Sequence, residues 1–382
     1  MKDSRFWRGF IYFFAGVGII LTLGIFLILA TNIAGLGNLL SVLGIIKNQS
    51  LYDLDTSHLA QSVTEGVIDS LNDPYAEYMD PENWENTKIR LQATFGGIGV
   101  YFIQDNEGKL IIVAPIEKSP AYYAGIQQGD VIVRINGEST SDMSQDEASH
   151  LIKGDPGTQV ILGLYRETED HEIDIKIVRE IISLPSVEYR AENGFPEIGY
   201  VRLYEFNSQS PREIREAINS MVQESDIQGL ILDLRDNRGG DFNAAIEIAD
   251  IFLDGETIVS VVNNKEQERT ISASAGSINL PLVVLVNEYS ASSSEVLAGA
   301  LKDNKRALLV GETTYGKGVV QTLFPLRDGG AFKITTQKYY TPSGYDLSEV
   351  GIYPDYFLNN EPGENIDAQL QKALEVVKEQ IF

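Results

Sequence analysis

From Gly9 to Ile46 the chain contains no charged residue, and that run splits the sequence into two materials. Its densest part, Phe10 to Ala30, is about 20 residues long, the length that crosses a hydrocarbon core of ~30 Å. Lys2, Arg5 and Arg8 precede it, with Asp3 the only acid, so the positive-inside tendency keeps this end cytoplasmic and the remainder outside. A cleaved signal peptide is the competing reading. The run exceeds the usual ~7–15 apolar residues, however, and no clear Ala-x-Ala site follows it. The expectation is an uncleaved transmembrane anchor over residues 1–46, with Thr31 to Ile46 either extending the helix or lying in the membrane interface.

The charge of the remainder narrows its partners. Thirty basic against 55 acidic residues give a net charge of −25. Removing Lys2, Asp3, Arg5 and Arg8 (net +2) leaves −27 on the exported part, which repels phosphate backbones and disfavours nucleic acid. With no cysteine there is no disulfide framework, thiolate zinc site or cysteine nucleophile. His58, His150 and His171 lie far apart and form no metal-binding pattern. The chain's 382 residues allow two or three domains.

A helical segment comes first, over residues 47–90. Leu59, Val63, Val67, Ile68 and Leu71 recur at helical spacing after Asp55 and Thr56, and Asn72-Asp73-Pro74 stops the run. Over residues 91–182 the text changes to short β-runs: Leu110 to Val113, Val131 to Ile135 with an Asn136-Gly137 turn, and Val160 to Tyr165, with a helix around Ser144 to Ile152. The loop Gly96-Gly97-Ile98-Gly99-Val100, then Ser119-Pro120-Ala121, Ala124-Gly125 and Gly129-Asp130, complete a pattern that resembles a PDZ domain. Such a module accepts a peptide as an extra strand. Successive N–H groups around Gly97, Ile98, Gly99 and Val100 can hold its terminal carboxylate.

Residues 183–360 alternate strands and helices. Ile198 to Leu203 reads as a strand, and Ser210-Pro211-Arg212-Glu213 as a capping box opening a helix. Gly229 to Leu234 is a buried strand followed by Arg235-Asp236-Asn237-Arg238-Gly239-Gly240-Asp241 and a helix. Leu282 to Val286 is another, running into Asn287-Glu288-Tyr289-Ser290-Ala291-Ser292-Ser293-Ser294-Glu295 and a helix through Leu301. This is the layout of a parallel or mixed sheet whose ligands sit at strand C-terminal ends. In the tail, 361–382, Leu370, Ala373 and Leu374 share one helical face. It and the 47–90 segment either pack on the core or make a homodimer, and the sequence does not choose.

A serine at a tight strand-to-helix junction exposes its Oγ, and the helix amides beside it favour developing negative charge. The Gly239-Gly240 turn can supply a second N–H donor, typically worth ~3–4 kcal/mol of barrier. The nearest histidine, His171, is 292 − 171 = 121 residues from Ser292, so the base is sought elsewhere. Lys317, between Gly316 and Gly318 after the strand Ala307 to Val310, is a candidate. To be neutral near pH 7–8 its pKa must fall from ~10.4, a differential of roughly 3–4 kcal/mol that burial can provide. The bland reading is that the serines are helix caps, Gly-Lys-Gly an exposed turn, and Asp233-Leu234-Arg235 a strand end with a surface ion pair.

The order Asp233-Leu234-Arg235-x-Asn237-x-Gly239-Gly240, Ser290-Ala291-Ser292-x-Ser294-Glu295, Ala298-Gly299-Ala300-Leu301, Gly311-Glu312 and Tyr315-Gly316-Lys317-Gly318-x-x-Gln321 resembles the carboxy-terminal processing peptidases, or tail-specific proteases. The match runs from Asp73-Pro74-Tyr75 to Gly351-Ile352-x-Pro354-Asp355. The resemblance implies an α/β (α+β) multidomain fold: the transmembrane helix, the PDZ domain, and a crotonase-like mixed-sheet serine protease core. It implies Ser292 as nucleophile, Lys317 as general base, Gln321 as the residue holding the lysine, and the amides of Gly240 and Ser293 as the oxyanion hole. At Ser293 the family usually carries Ala. The resemblance further implies no metal or organic cofactor and protein substrates with C-terminal tails captured and gated by the PDZ domain; the apolar run with its basic flank leads to the expectation of a single-pass protein of a bacterial cell membrane with its catalytic domain extracytoplasmic. A catalytically silent membrane-tethered PDZ adaptor is the alternative. Other acyl chemistry on the same core is a further one, but it would need a basic cluster for acyl-CoA phosphates, and none is apparent.

Overall fold

The computed structural model describes residues 3–31, 35–52, 55–167, 171–360 and 367–381. It comprises two compact units, Met1–Pro74 and Tyr75–Phe382.

The first unit is helical: Asp3–Thr31, Leu36–Gln49 and Thr56–Asp69. The segment left open between helix extension and interface is thus a separate helix, begun by Gly35 in the left-handed conformation. Phe13, Ile19, Ile20, Leu21, Leu23 and Phe26 are all more than 60 % exposed. Among the described residues no helix is long and apolar enough to cross a membrane. The side chain of His58 lies outside the described residues.

In the second unit, strands Val100–Gln104, Leu110–Pro115, Val131–Ile135, Gln159–Arg166 and His171–Val178 form an antiparallel sheet in that order. The helix Gln145–Ile152, opened by a Ser144/Glu147 capping box, covers it. Ile98, Leu110, Ile112, Ile132, Ile135, Leu162 and Leu164 make this module's core. Its entry and exit pair as antiparallel strands, Thr94–Gly97 with Glu180–Ser183, so the module leaves and rejoins the chain at one place. Strand Val100–Gln104 is an edge strand, a place where a further strand can add, and its far end is bridged by Gln145, which donates to Phe102 O at 3.4 Å and accepts from Gln104 N–H at 3.3 Å.

The larger module is built on a six-stranded sheet in the order Val187–Glu192, Phe195–Leu203, Gly229–Asp233, Leu282–Val286, Leu308–Gly311, Tyr356–Phe357. The first pair is antiparallel and the rest parallel, the mixed sheet that alternating strands and helices implied. Alternate residues serve opposite faces. Leu230, Leu232, Leu282, Val284 and Val286 pack with helices Ser210–Ser225, Phe242–Phe252 and Ser293–Asp303, while Ile231, Val283 and Leu285 pack with the tail helix Ala368–Ile381. Both faces are covered, which explains the uninterrupted apolar strands. The tail helix therefore spends its apolar face on its own sheet. A second sheet contains Glu77–Met79, Thr257–Asn263, Glu268–Ser272, Val319–Pro325 and Ala331–Tyr340.

One expected cap is corrected. Ser210 is inside its helix rather than at the cap. Asn207 Oδ1 accepts from the N–H groups of Gln209 and Ser210, and Glu213 turns instead to the N–H and hydroxyl of Ser186. An Asx turn supplied the helix start, which freed the glutamate to tie another segment.

Candidate active site

Strands Gly229–Asp233 and Leu282–Val286 are parallel neighbours, so the turns that follow them adjoin. Serine hydroxyls stitch the turns together. Ser290 Oγ donates to Leu234 O at 2.8 Å, Ser294 Oγ to Asn237 O at 2.8 Å, and Ser293 Oγ to Gly240 O at 3.1 Å. The Ala291 N–H adds a bond to Asn237 O at 3.1 Å. Of the four serines between 290 and 294, three thus have hydroxyls committed to backbone carbonyls. Ser292 lines a cleft of about 790 Å³ together with Gly239, Gly240, Lys317 and Gln321.

Ser292 has φ 56° and ψ −113°, a conformation that costs a non-glycine residue on the order of 1–3 kcal/mol. Such strain at a strand-to-helix turn lifts a serine Oγ clear of the sheet. The neighbouring turn is shaped around it. A Cβ at Gly239 would lie 3.0 Å from Ser292 Cβ and 2.8 Å from Ala291 O; one at Gly240, where φ is 139°, would lie 2.0 Å from Phe206 O. Neither position accepts a side chain. Among the described residues, the N–H groups of Gly240 and Ser293 donate to no other group, and Ser293 N is 3.0 Å from where that Gly239 Cβ would be.

Glu295 organises both sides of the site and was not singled out by sequence reasoning. It is fully buried. Its Oε2 accepts from the N–H groups of Ser292 and Lys317, both at 2.9 Å. Its Oε1 accepts from Thr314 Oγ1 at 2.6 Å and Gly316 N at 2.7 Å. The available signal was Ser292-x-x-Glu295, the spacing of a capping box. Tyr339, buried in the core, donates its hydroxyl to Ser292 O at 3.2 Å; burial pushes that phenol well up and keeps it a donor.

Lys317 sits between strands Leu308–Gly311 and Val319–Pro325. Its Nζ is 4.6 Å from the centroid of the Tyr75 ring, an arrangement that favours the ammonium form. Gln321, on the following strand, has a buried Nε2 without a hydrogen-bond partner. It shares the cleft with Lys317. Asp233 and Arg235, a surface ion pair in the bland reading, are instead drawn inside, Asp233 fully buried and Arg235 partly: Arg235 Nη2 meets Asp233 Oδ2 at 2.6 Å, and the Tyr200 hydroxyl donates to the same oxygen at 2.7 Å.

Gly97, Ile98, Gly99 and Val100 lie elsewhere and none lines this cleft. The carbonyls of Ile98 and Gly99 are tied inward, to Ala121 N and to Ile116 N. Gly99, at φ 76°, has no room for a Cβ, which would fall 2.3 Å from Ser119 Cβ. The turn is thereby held with its amides directed away from those bonds. Among the described residues, no group of three or more histidines and carboxylates could hold a metal ion.

Residues 197–358 match peptidase family S41, and residues 111–166 match a PDZ domain. A carboxy-terminal-processing protease of Bartonella bacilliformis is 37 % identical over 316 residues, covering 81 % of this chain and 72 % of that protein. A carboxyl-terminal-processing protease of a Picosynechococcus species is 36 % identical over 333 residues, covering 85 % and 80 %. Among solved structures, the photosystem II D1 C-terminal processing protease aligns with a TM-score of 0.50 at 28 % identity, covering 87 % of this chain and 90 % of that one.

Proposed function

The chain belongs to peptidase family S41, the carboxy-terminal-processing serine proteases, and from that premise we propose that it cleaves the C-terminal regions of proteins by acyl transfer with Ser292 as nucleophile and Lys317 as base. The observation that carries this reading is the strained Ser292, set in the cleft beside Lys317 and next to two amides, Gly240 and Ser293, that have no other acceptor.

Neutral Lys317 takes the Ser292 proton as Oγ attacks the peptide carbonyl, and the amides of Gly240 and Ser293 bind the oxyanion. The ammonium so formed protonates the leaving amine. A water that then loses its proton to Lys317 releases the acyl group from Ser292. Gln321, which lines the same cleft, holds the lysine in place by accepting from its Nζ through the side-chain amide oxygen. Electrostatic stabilisation supplies much of the rate, at ~3–4 kcal/mol per oxyanion donor.

The PDZ module holds the substrate's terminal carboxylate at Gly97, Ile98, Gly99 and Val100 and lays the tail along the edge strand Val100–Gln104, gating delivery to the cleft. The apolar run Phe10 to Ala30 behind Lys2, Arg5 and Arg8 anchors the chain in a bacterial cell membrane with the catalytic domain outside. The exposed apolar side chains of the first helix support this.

The test is cleavage of an unfolded protein with an apolar tail, compared with the same protein carrying a C-terminal carboxamide. Faster loss of mass from the free carboxylate form is expected. Equal rates for the two forms would contradict capture of the terminus.

A further inference from the structure

We propose that the Ser293 hydroxyl is a positioning group for the oxyanion hole, a role distinct from that of the Ser293 N–H. The inference rests on the assignment of the Gly240 and Ser293 amides to the oxyanion.

Gly240 follows another glycine, and the pair has φ values of 102° and 139°. Without side chains, such a turn is torsionally soft, yet an oxyanion donor acts only if its direction is fixed before the reaction. Hydrogen bonds fix it. The Gly239 carbonyl accepts from Phe206 N at 3.0 Å; because the peptide is trans, the Gly240 N–H points the opposite way. The next peptide plane is held at its N–H, which Asp241 donates to Phe206 O at 2.8 Å, and at its carbonyl by the hydroxyl of Ser293, which donates to Gly240 O at 3.1 Å. Ser293 is 1 % exposed, so no water competes for that bond. One residue therefore contributes an amide to the oxyanion and, through its side chain, helps fix the peptide plane that follows the other amide. The alanine usual in the family offers the first contribution without the second. The neighbouring stitches at Ser290 and Ser294 end on Leu234 and Asn237 and do not reach the glycine pair.

The test uses the full-length chain and Ser293→Ala, with a peptide substrate, a peptide aldehyde of the same sequence whose adduct with Ser292 places an oxygen in the hole, and the product peptide. Ser293→Ala is expected to lower kcat by about 5–20-fold, less than loss of a whole donor, with KM unchanged. Aldehyde affinity should fall by the same factor, and product affinity should not change. A thermal melt confirms the folded state, which alanine in the first helical turn favours. Tight aldehyde binding that is equal in both proteins, or equal losses for aldehyde and product, would overturn this role of the hydroxyl alone. Wild-type aldehyde binding no tighter than product binding would overturn the oxyanion assignment, and this inference with it.

Discussion

Ser292 and Lys317, 317 − 292 = 25 residues apart, donate their backbone N–H groups to one oxygen of a buried carboxylate, Glu295 Oε2, at 2.9 Å each. Both bonds are made by backbone, so the carboxylate locks the two Cα positions together without engaging the hydroxyl or the amine. A helix cap has become the strut between the two halves of the site.

Glu295→Gln turns one acceptor oxygen into a donor facing N–H groups. The expected cost is about 2–4 kcal/mol of stability, from lost charge-assisted bonds and a buried mismatch. Turnover should fall by roughly 100-fold, the scale of an ångström-sized misplacement. Thermal melting and steady-state kinetics read the two effects. Normal turnover in a folded variant would remove Glu295 from the account.

Tyr75 holds the Lys317 ammonium against its ring. That contact favours the charged amine by about 0.5–2 kcal/mol, and the base must be neutral. Removing the ring lowers the lysine pKa, so Tyr75→Leu should move the acid limb of kcat/KM to lower pH, by about 0.5–1.5 pH units at 1.36 kcal/mol each. Tyr75→Phe, which keeps the ring, should leave the limb in place. A shift to higher pH in the leucine variant would contradict this role.

Asp367, just before the tail helix, is pulled two ways. Burial raises its pKa, but the hydrogen bonds from Arg235 and the Leu370 N–H prevail and hold it below the ordinary aspartate value. A carboxylate whose folded pKa is depressed stabilises the fold above its unfolded pKa, ~3.9, and loses that contribution as pH falls through the folded value. Melting temperature followed from pH 6 to pH 2 should therefore drop less steeply in Asp367→Asn than in wild type, from a lower starting point at pH 6. Parallel curves would show that the group is not coupled to folding.

Much of this was legible in the sequence because it was local. Leu282–Val286 is an uninterrupted apolar strand, and the glycine and serine turns after it and its neighbour announce themselves by composition. What escaped was long-range. Tyr75 and Lys317 are 317 − 75 = 242 residues apart, and no periodicity pairs them. Ser210 and Glu213 have capping-box spacing, but Asn207 was nearer to the free amides and Ser186 drew the glutamate away. The amphipathic tail helix advertised a face and not its partner, which proved to be the chain's own sheet. Asp233 and Arg235 had the appearance of a strand end, and burial between Tyr200 and Asp367 made them a structural joint.

The central claim is that Ser292 and Lys317 together perform the cleavage. Its most direct test is intact mass spectrometry of an unfolded protein with an apolar tail, incubated with the full-length chain as wild type, Ser292→Ala and Lys317→Ala. Loss of mass from the substrate's C-terminal region with wild type, and an intact substrate with both variants, is the predicted result. Cleavage by either folded variant at the wild-type rate would contradict it.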